Sequence, residues 1–471
     1  MHATVPAVFA ALALLTGCTE PTVRPNVVLV TLDTTRADRL AVYGYERQTS
    51  PNLDALAAES VVYEFAYSTS SWTLPAHASL FTGKYPRSHG ATHDPEGPLL
   101  LSDAIAAPSE IRARTIAPSE TTLASLLRGA GYATGGVVAG PWMLRTFGLA
   151  AGFDHWDDDG IVGAGGRRAG EVTDRALAWL EETPDPFFLF LNYFDPHAPY
   201  APPAPWASSY LPPGVQPNPR SASQAGDLYD AEILYMDHHF GRLLRALRAS
   251  GSHDRTLIVV TSDHGELLGE RGQWGHERFL WEPLVRVPLM VRHPGARGAG
   301  TREREPVSIV DLFPLILSAA GLEPPDDVQG EAPPARRRPL LAEVDPIGTS
   351  PTGRWQARWE GRTKTLVSTL GDRFVFDLAA DPEERENLVE RAPARAEGAV
   401  RTLEEAFAAL PPPPEAGDAL TIDDATREAL RALGYLDAGA AADDPEARFG
   451  APREGREAAG ALAPSEPRGQ P

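Results

Sequence analysis

The chain reads as an α/β protein with a mostly parallel central sheet, on three observations. Residues 26–32 (NVVLVTL), 186–193 (PFFLFLNY) and 256–262 (TLIVVTS) are continuous apolar runs, which suit strands buried on both faces better than half-exposed ones. Each run closes on polar chemistry: Asp33, then Asp195 with His197, then Asp263 with His264. Ligand sites in open α/β sheets lie beyond the carboxyl ends of the strands, so these side chains stand where chemistry is done. Any one of them alone could equally start a turn or cap a helix.

Length and charge bound the rest. The 471 residues allow one large domain and a smaller one. A formal net charge of −21 excludes a nucleic-acid-binding surface, which needs a basic face. The single cysteine, Cys18, follows an apolar run over residues 5–15 and ends Leu15-Thr16-Gly17-Cys18, after which the chain turns polar. The run is too short to span a bilayer and reads as a secretory leader. Its ending resembles a bacterial lipobox, which implies a lipid on Cys18 and an exported protein held to the cell envelope, on the periplasmic side or the outer membrane. No later segment is long and apolar enough for a transmembrane helix.

The remaining elements follow in order. Ser50-Pro51-Asn52-Leu53 opens a helix. Residues 102–118 read as a surface insertion, and 119–128 as a capped helix stopped by Gly129 and Gly131. Residues 132–139 form a strand, and 160–170 a Gly-rich loop that matches no phosphate-loop pattern. Residues 230–250 have helical periodicity, with His238 and His239 facing solvent. A helix over 306–320 closes the large domain. Residues 321–338 read as a linker, residues 364–368 and 373–378 as hairpin strands, and a helix runs to about Leu410. The domain plan is therefore 1–18 leader, 19–25 linker, 26–322 catalytic domain, 323–410 subdomain with a small antiparallel sheet, 411–436 helical segment, and 437–471 a disordered tail poor in large apolar residues.

Thr73 stands at the start of a short helix, in Ser71-Trp72-Thr73-Leu74-Pro75-Ala76-His77. It reads as the N-cap, with Pro75 in the first turn, where a missing N–H costs little. A hydroxyl there lies at the positive end of the helix dipole, a setting that favours an anion, although an ordinary Thr cap gives the same local pattern. Carboxylates with an imidazole suit Zn²⁺ or Mn²⁺, and Ca²⁺ or Mg²⁺ less well. A metal on the Thr73 oxygen would lower its pKa and make it a nucleophile. His77 shares a face with Thr73 and could contact an anionic substrate, and His197 and His276 could donate to substrate or protonate a leaving group. The set suits displacement at a tetrahedral anionic centre through a covalent Thr73 intermediate.

In this order the stretches resemble the sulfatase branch of the alkaline phosphatase superfamily: Asn26-Val27-Val28-Leu29-Val30 with Asp33, 73–83 (TLPAHASLFTG), Asp195-Pro196-His197, Ser262-Asp263-His264-Gly265-Glu266, and Phe376-Asp377-Leu378 to Asp381-Pro382-Glu383. The resemblance implies an alkaline phosphatase-like three-layer α/β/α sandwich with a small C-terminal α+β subdomain. It implies one divalent metal held by Asp33, Thr73, Asp263 and His264, with His197 facing substrate and His276 near the place of a family Lys. Sulfatases have Cys or Ser where this chain has Thr73, oxidised to formylglycine, and Arg where it has His77. Thr cannot give that aldehyde. Thr34 replaces a second metal Asp, His264 an Asn, and the family's Lys-x-His is not recognisable around Gly140-Pro141-Trp142-Met143. These departures resemble the Thr-dependent phosphodiesterases, phosphonate hydrolases and phosphoglycol transferases of the superfamily. The expected substrate is a phosphate-type ester. The alternatives are a sulfate ester cleaved through Thr73, or an inactive, anchored protein that binds an anion or glycan.

Overall fold

The structure, a computed structural model, describes residues 24–93, 113–161, 166–334, 338–345 and 353–414. The leader and Cys18, most of the 411–436 segment and the 437–471 tail lie outside the described residues. Among the described residues no helix is long and apolar enough to cross a membrane.

All three apolar runs are strands, Asn26–Leu32, Phe187–Tyr193 and Thr256–Thr261, buried at every position. They are neighbours at the centre of an eight-stranded sheet, with Asn26–Leu32 in the middle. Ala133–Val137 and His155–Asp157 extend the parallel part on one side. On the other, Leu289–Arg292 runs antiparallel, followed by Val61–Tyr63 and the edge strand Arg302–Glu303. Alternate side chains of the buried strands feed two cores. Val27, Leu29, Phe188, Phe190, Leu257 and Val259 pack beneath the helices Thr73–Thr82 and Leu312–Ala319. Val28, Val30, Leu189, Leu191, Ile258 and Val260 pack beneath Pro51–Ala58, Ala169–Glu182 and Ala225–Ala249. Each such side chain contributes about 1.5–3 kcal/mol of burial, and two faces so loaded make a three-layer sandwich the stable solution.

Register then places the site. Thr31 pairs with Thr261 and Leu32 with Tyr193, so Asp33 and Asp263 leave the sheet level with one another.

The Leu123–Gly129 helix has the expected cap, with Thr122 and Ser125 in a reciprocal capping box. Three expectations are corrected. Residues 94–112 lie outside the described residues, but Ala113, Ile116 and Ala117, expected on a surface insertion, are buried, Ile116 under Gly148. Residues 321–338 are not a free linker: the N–H groups of Gln329 and Gly330 both donate to the Gly83 carbonyl, and Val328 joins the core. The C-terminal sheet has four antiparallel strands rather than two, Leu340–Val344 and Trp355–Glu360 joining Thr363–Ser368 and Arg373–Asp377. Leu340–Val344 is buried on both faces and shows no alternation that would announce a strand. The expected closing helix is Pro393–Ala408.

Candidate active site

Strand ends and one helix converge on a buried polar centre. Ligand atoms of Asp33, Asp263 and His264 lie within 4.8 Å of one another. Thr73 Oγ1 is 3.3 Å from His264 Nε2. Thr73 is the first residue of its helix, not the cap: Trp72 is the N-cap, and no side chain caps the turn. The reason is the fold around it, because the Thr73 hydroxyl is turned to His264, 191 residues on, instead of back onto its own helix.

Partners fix the atoms that remain for chemistry. His264 Nδ1 donates to the Gly265 carbonyl at 2.9 Å, which leaves Nε2 as an acceptor facing Thr73. Asp263 Oδ1 accepts from the N–H groups of His264 at 2.8 Å and Thr34 at 3.2 Å. Asp263 Oδ2 and Asp33 Oδ1 are buried with no hydrogen-bond partner. Burial, and then the Asp263 charge, hold the Asp33 carboxyl well above the usual carboxylate range. Two buried acids with one orphaned oxygen each, facing an imidazole nitrogen and a hydroxyl, are the donor set of a divalent cation, so the implied metal fits these residues. Thr34, where the resemblance implies a second acid, takes the left-handed conformation (φ 52°) and is held by its N–H on Asp263 and by the Tyr229 hydroxyl on its carbonyl.

His77 is not a substrate contact in this geometry. Its Nδ1 lies 2.9 Å from the Thr73 carbonyl and therefore donates to it; its Nε2 accepts from the Thr31 hydroxyl at 3.0 Å. The ring is fully buried against Phe81 and Phe190, and burial lowers its pKa, which keeps it neutral. A turn of helix does bring it beside Thr73, but on the inward side.

His197 and His276 meet at the rim, Nε2 to Nε2 at 3.1 Å, and the His276 ring centroid is 4.4 Å from that of His264. His197 stacks on Phe194 and donates Nδ1–H to the Ala198 carbonyl at 2.7 Å. Asp195, at the same strand end, stays out of the centre, receiving Arg168 and the Ala169 N–H. His238 is exposed, as expected, whereas His239 is half-buried with its ring against Tyr235 and Trp206.

Asn192 is the residue that sequence reasoning missed. Its Nδ2 points to Asp33 Oδ2 and Thr31 Oγ1, both at 3.4 Å, while its Oδ1 receives the N–H groups of Ala139 and Gly140. One polar residue within an otherwise apolar strand was the available clue. At Gly140, where a family Lys-x-His was sought, a Cβ would meet the Phe194 ring at 2.9 Å and stand 3.6 Å from Asp33 Oδ2.

Comparison with known proteins gives the family and the fold. The sulfatase family profile matches residues 25–322. An ulvan-active sulfatase of Formosa agariphila is 27% identical over 419 residues, covering 79% of this chain and 78% of the relative. The N-acetylglucosamine-6-O-sulfatase of Bacteroides thetaiotaomicron is 26% identical over 507 residues, covering 80% and 86%. The phosphonate monoester hydrolase of Agrobacterium radiobacter has the same fold, with a TM-score of 0.66 at 21% identity, covering 82% of this chain and 96% of that one. The chain belongs to the sulfatase family of the alkaline phosphatase superfamily and is a sulfatase-like hydrolase of ester bonds.

Proposed function

We propose that the enzyme cleaves phosphate-type esters (phosphodiesters, phosphonate monoesters or phosphoglycol esters) through a covalent intermediate on Thr73. The observation that carries this reading is the Thr73 hydroxyl itself, buried 3.3 Å from His264 Nε2 in a centre with two orphaned carboxylate oxygens. A divalent metal held there by Asp33, Asp263 and His264, with Thr73, would supply Lewis-acid activation of the hydroxyl and offset the negative charge. Thr73 Oγ1, its proton released to solvent, attacks phosphorus in line with the departing ester oxygen. His276, whose Nε2 faces that of His197 at the rim, protonates that oxygen as it leaves, and His197 Nε2 receives the His276 N–H before the ester arrives. Water then displaces Thr73 and restores the hydroxyl; an alcohol in its place would make the reaction a transfer. Zn²⁺ or Mn²⁺ suits the imidazole ligand best.

Sulfate esters are the second reading, favoured by the names of the two sulfatase relatives. In that case Thr73 attacks sulfur, without the aldehyde chemistry that a Cys or Ser allows. The enzyme's place, in this proposal, is the cell envelope through a lipid on Cys18.

Protein beginning at residue 19 is given Zn²⁺, Mn²⁺ or Ca²⁺ and assayed on bis-nitrophenyl phosphate, a phenylphosphonate monoester, nitrophenyl phosphate and nitrophenyl sulfate. Phosphodiester or phosphonate turnover that disappears in Thr73→Ala is the expected result. Turnover of sulfate alone moves the conclusion to the second reading. Silence on all four, with no metal retained, leaves an anion-binding protein.

A further inference from the structure

A cavity of about 520 Å³ lies between the large domain and the C-terminal subdomain, lined by Arg36, Leu267, Arg271, Trp281, Arg286 and residues 382–385 among others. Arg36 comes three residues after Asp33, and Leu267 three after His264. Three residues of chain reach at most about 11 Å, so the lining begins close to the buried polar centre.

Five carboxylates also line this space, and each is already engaged by a cation. Arg36 grips Asp38 through Nε and Nη2, at 2.9 and 2.7 Å, and also holds Glu270. Lys364 holds Glu282 and Glu384, and Arg385 holds Glu383. Two guanidinium groups are left over. Arg271 donates to the Glu384 carbonyl and lies 4.1 Å over the Trp281 ring. Arg286 donates to the Glu64 carbonyl at 3.0 Å and lies 5.1 Å over the Phe65 ring, and its Nε–H is buried with no hydrogen-bond partner. Among the described residues neither forms an ion pair with a carboxylate. Carbonyls and ring faces leave both charges uncompensated.

The backbone adds a second observation. Arg271 has φ 55°, in a turn between Gly269 and Gly272. That conformation is natural for glycine and strained for a residue with a side chain, and it persists where the surroundings hold it. Here it sets the guanidinium on the indole face of Trp281. A guanidinium supported on one face keeps its edge N–H groups for a ligand, and that planar fork matches two oxygens of an oxyanion.

We propose that this cavity is an anion site, in which Arg271 and Arg286 bind a tetrahedral oxyanion group of phosphate or sulfate type. A second anionic group on the ester is one source of that oxyanion, and a free inorganic anion is the other. The first source rests on the proposed reaction; the site does not.

Full-length protein loaded with Zn²⁺ is titrated with inorganic sulfate by calorimetry. Sulfate binding that weakens by about 10-fold in Arg271→Gln, and likewise in Arg286→Gln, is the expected result. Arg271 is exposed, so its replacement spares the core and the test stands even where Arg286→Gln fails to fold. A kinetic arm compares the nitrophenyl phosphodiester of glycerol with that of glycerol phosphate. A KM lower by about 10-fold for the second ester, with the difference lost in both variants, assigns the substrate as the source. Sulfate binding that depends on the two arginines, with equal KM values for the two esters, assigns the free anion. Sulfate binding and ester preference that both survive the substitutions, or that are both missing from the wild type, overturn the proposal. If the wild type turns over no ester at all, the proposed reaction fails, and the sulfate titration alone decides the site.

Discussion

His77 donates to the carbonyl of Thr73 and accepts from Thr31, which in turn receives Asn192. This short chain of hydrogen bonds joins the Asn26–Leu32 strand, the Phe187–Tyr193 strand and the first turn of the Thr73–Thr82 helix. Its effect is to fix the direction of the Thr73 backbone from below. His77→Leu keeps the volume roughly but removes both hydrogen bonds, at about 0.5–1.5 kcal/mol each, with Thr31 left only its long contacts to the Leu191 carbonyl and the Asn192 amide. Urea unfolding of the metal-free protein should therefore show a clear loss of stability. Unchanged stability with a raised KM would instead return His77 to the substrate side. The sequence placed His77 beside Thr73 because helical spacing is local. It could not say which way the ring turns, since Thr31 lies 46 residues away along the chain.

At the scale of elements, the Thr73–Thr82 helix is held at its middle by a second histidine. His89 Nδ1 accepts the Ala91 N–H at 3.0 Å, and Nε2 lies 3.0 Å from Ser79 Oγ, which also receives the Thr69 hydroxyl. An N–H pointing at Nδ1 leaves no room for a proton there, and burial brings the pKa down from 6.5 to about 3. The folded state therefore takes up this proton only near pH 3, whereas the unfolded chain takes it up below about 6.5. The contribution is complete above pH 6.5 and declines as pH falls towards 3. By pH 4.5 the loss is about 2–3 kcal/mol. His89→Asn should flatten that part of the stability profile relative to wild type, as read by denaturant unfolding at pH 7 and 4.5. Parallel slopes in the two proteins would show that His89 does not carry the effect. Element identity was the most legible layer, because an apolar run or a capped helix is written in neighbouring residues. The two extra C-terminal strands were not seen, since Leu340–Val344 carries no alternation to distinguish it.

At the scale of the whole molecule, the C-terminal sheet is docked onto the large domain through Lys364. Its ammonium group is fully buried, 3.0 Å from Glu282 and 2.7 Å from Glu384. Glu282 belongs to the large domain, while Lys364 and Glu384 belong to the subdomain. Burial raises the pKa of Glu384, and Lys364 opposes that rise. Lys364→Met would leave two carboxylates buried without their cation, at a cost of about 3–5 kcal/mol. Calorimetry should show a lower melting temperature, and the loss should be partly regained in Lys364→Met combined with Glu384→Gln. A single variant that melts like the wild type would mean that the two units do not depend on this contact.

By itself the sequence determined the α/β class, the three buried strands and the acids and histidines at their ends, because burial pattern and strand termination are local properties of the chain. Even the cluster of Asp33, Asp263 and His264 could be anticipated, since each of these residues stands just beyond a strand. The tertiary structure decided what those residues face. Thr73 became the first helical residue rather than a cap because His264 receives its hydroxyl. His77 turned inward to Thr31, and Asn192 took hold of Asp33. These pairings join residues far apart in the chain, and hydrogen bonds depend on direction. Only the register of the strands, set by two cores packed on opposite faces of one sheet, brings such groups to within about 3 Å and fixes which atom is donor and which acceptor.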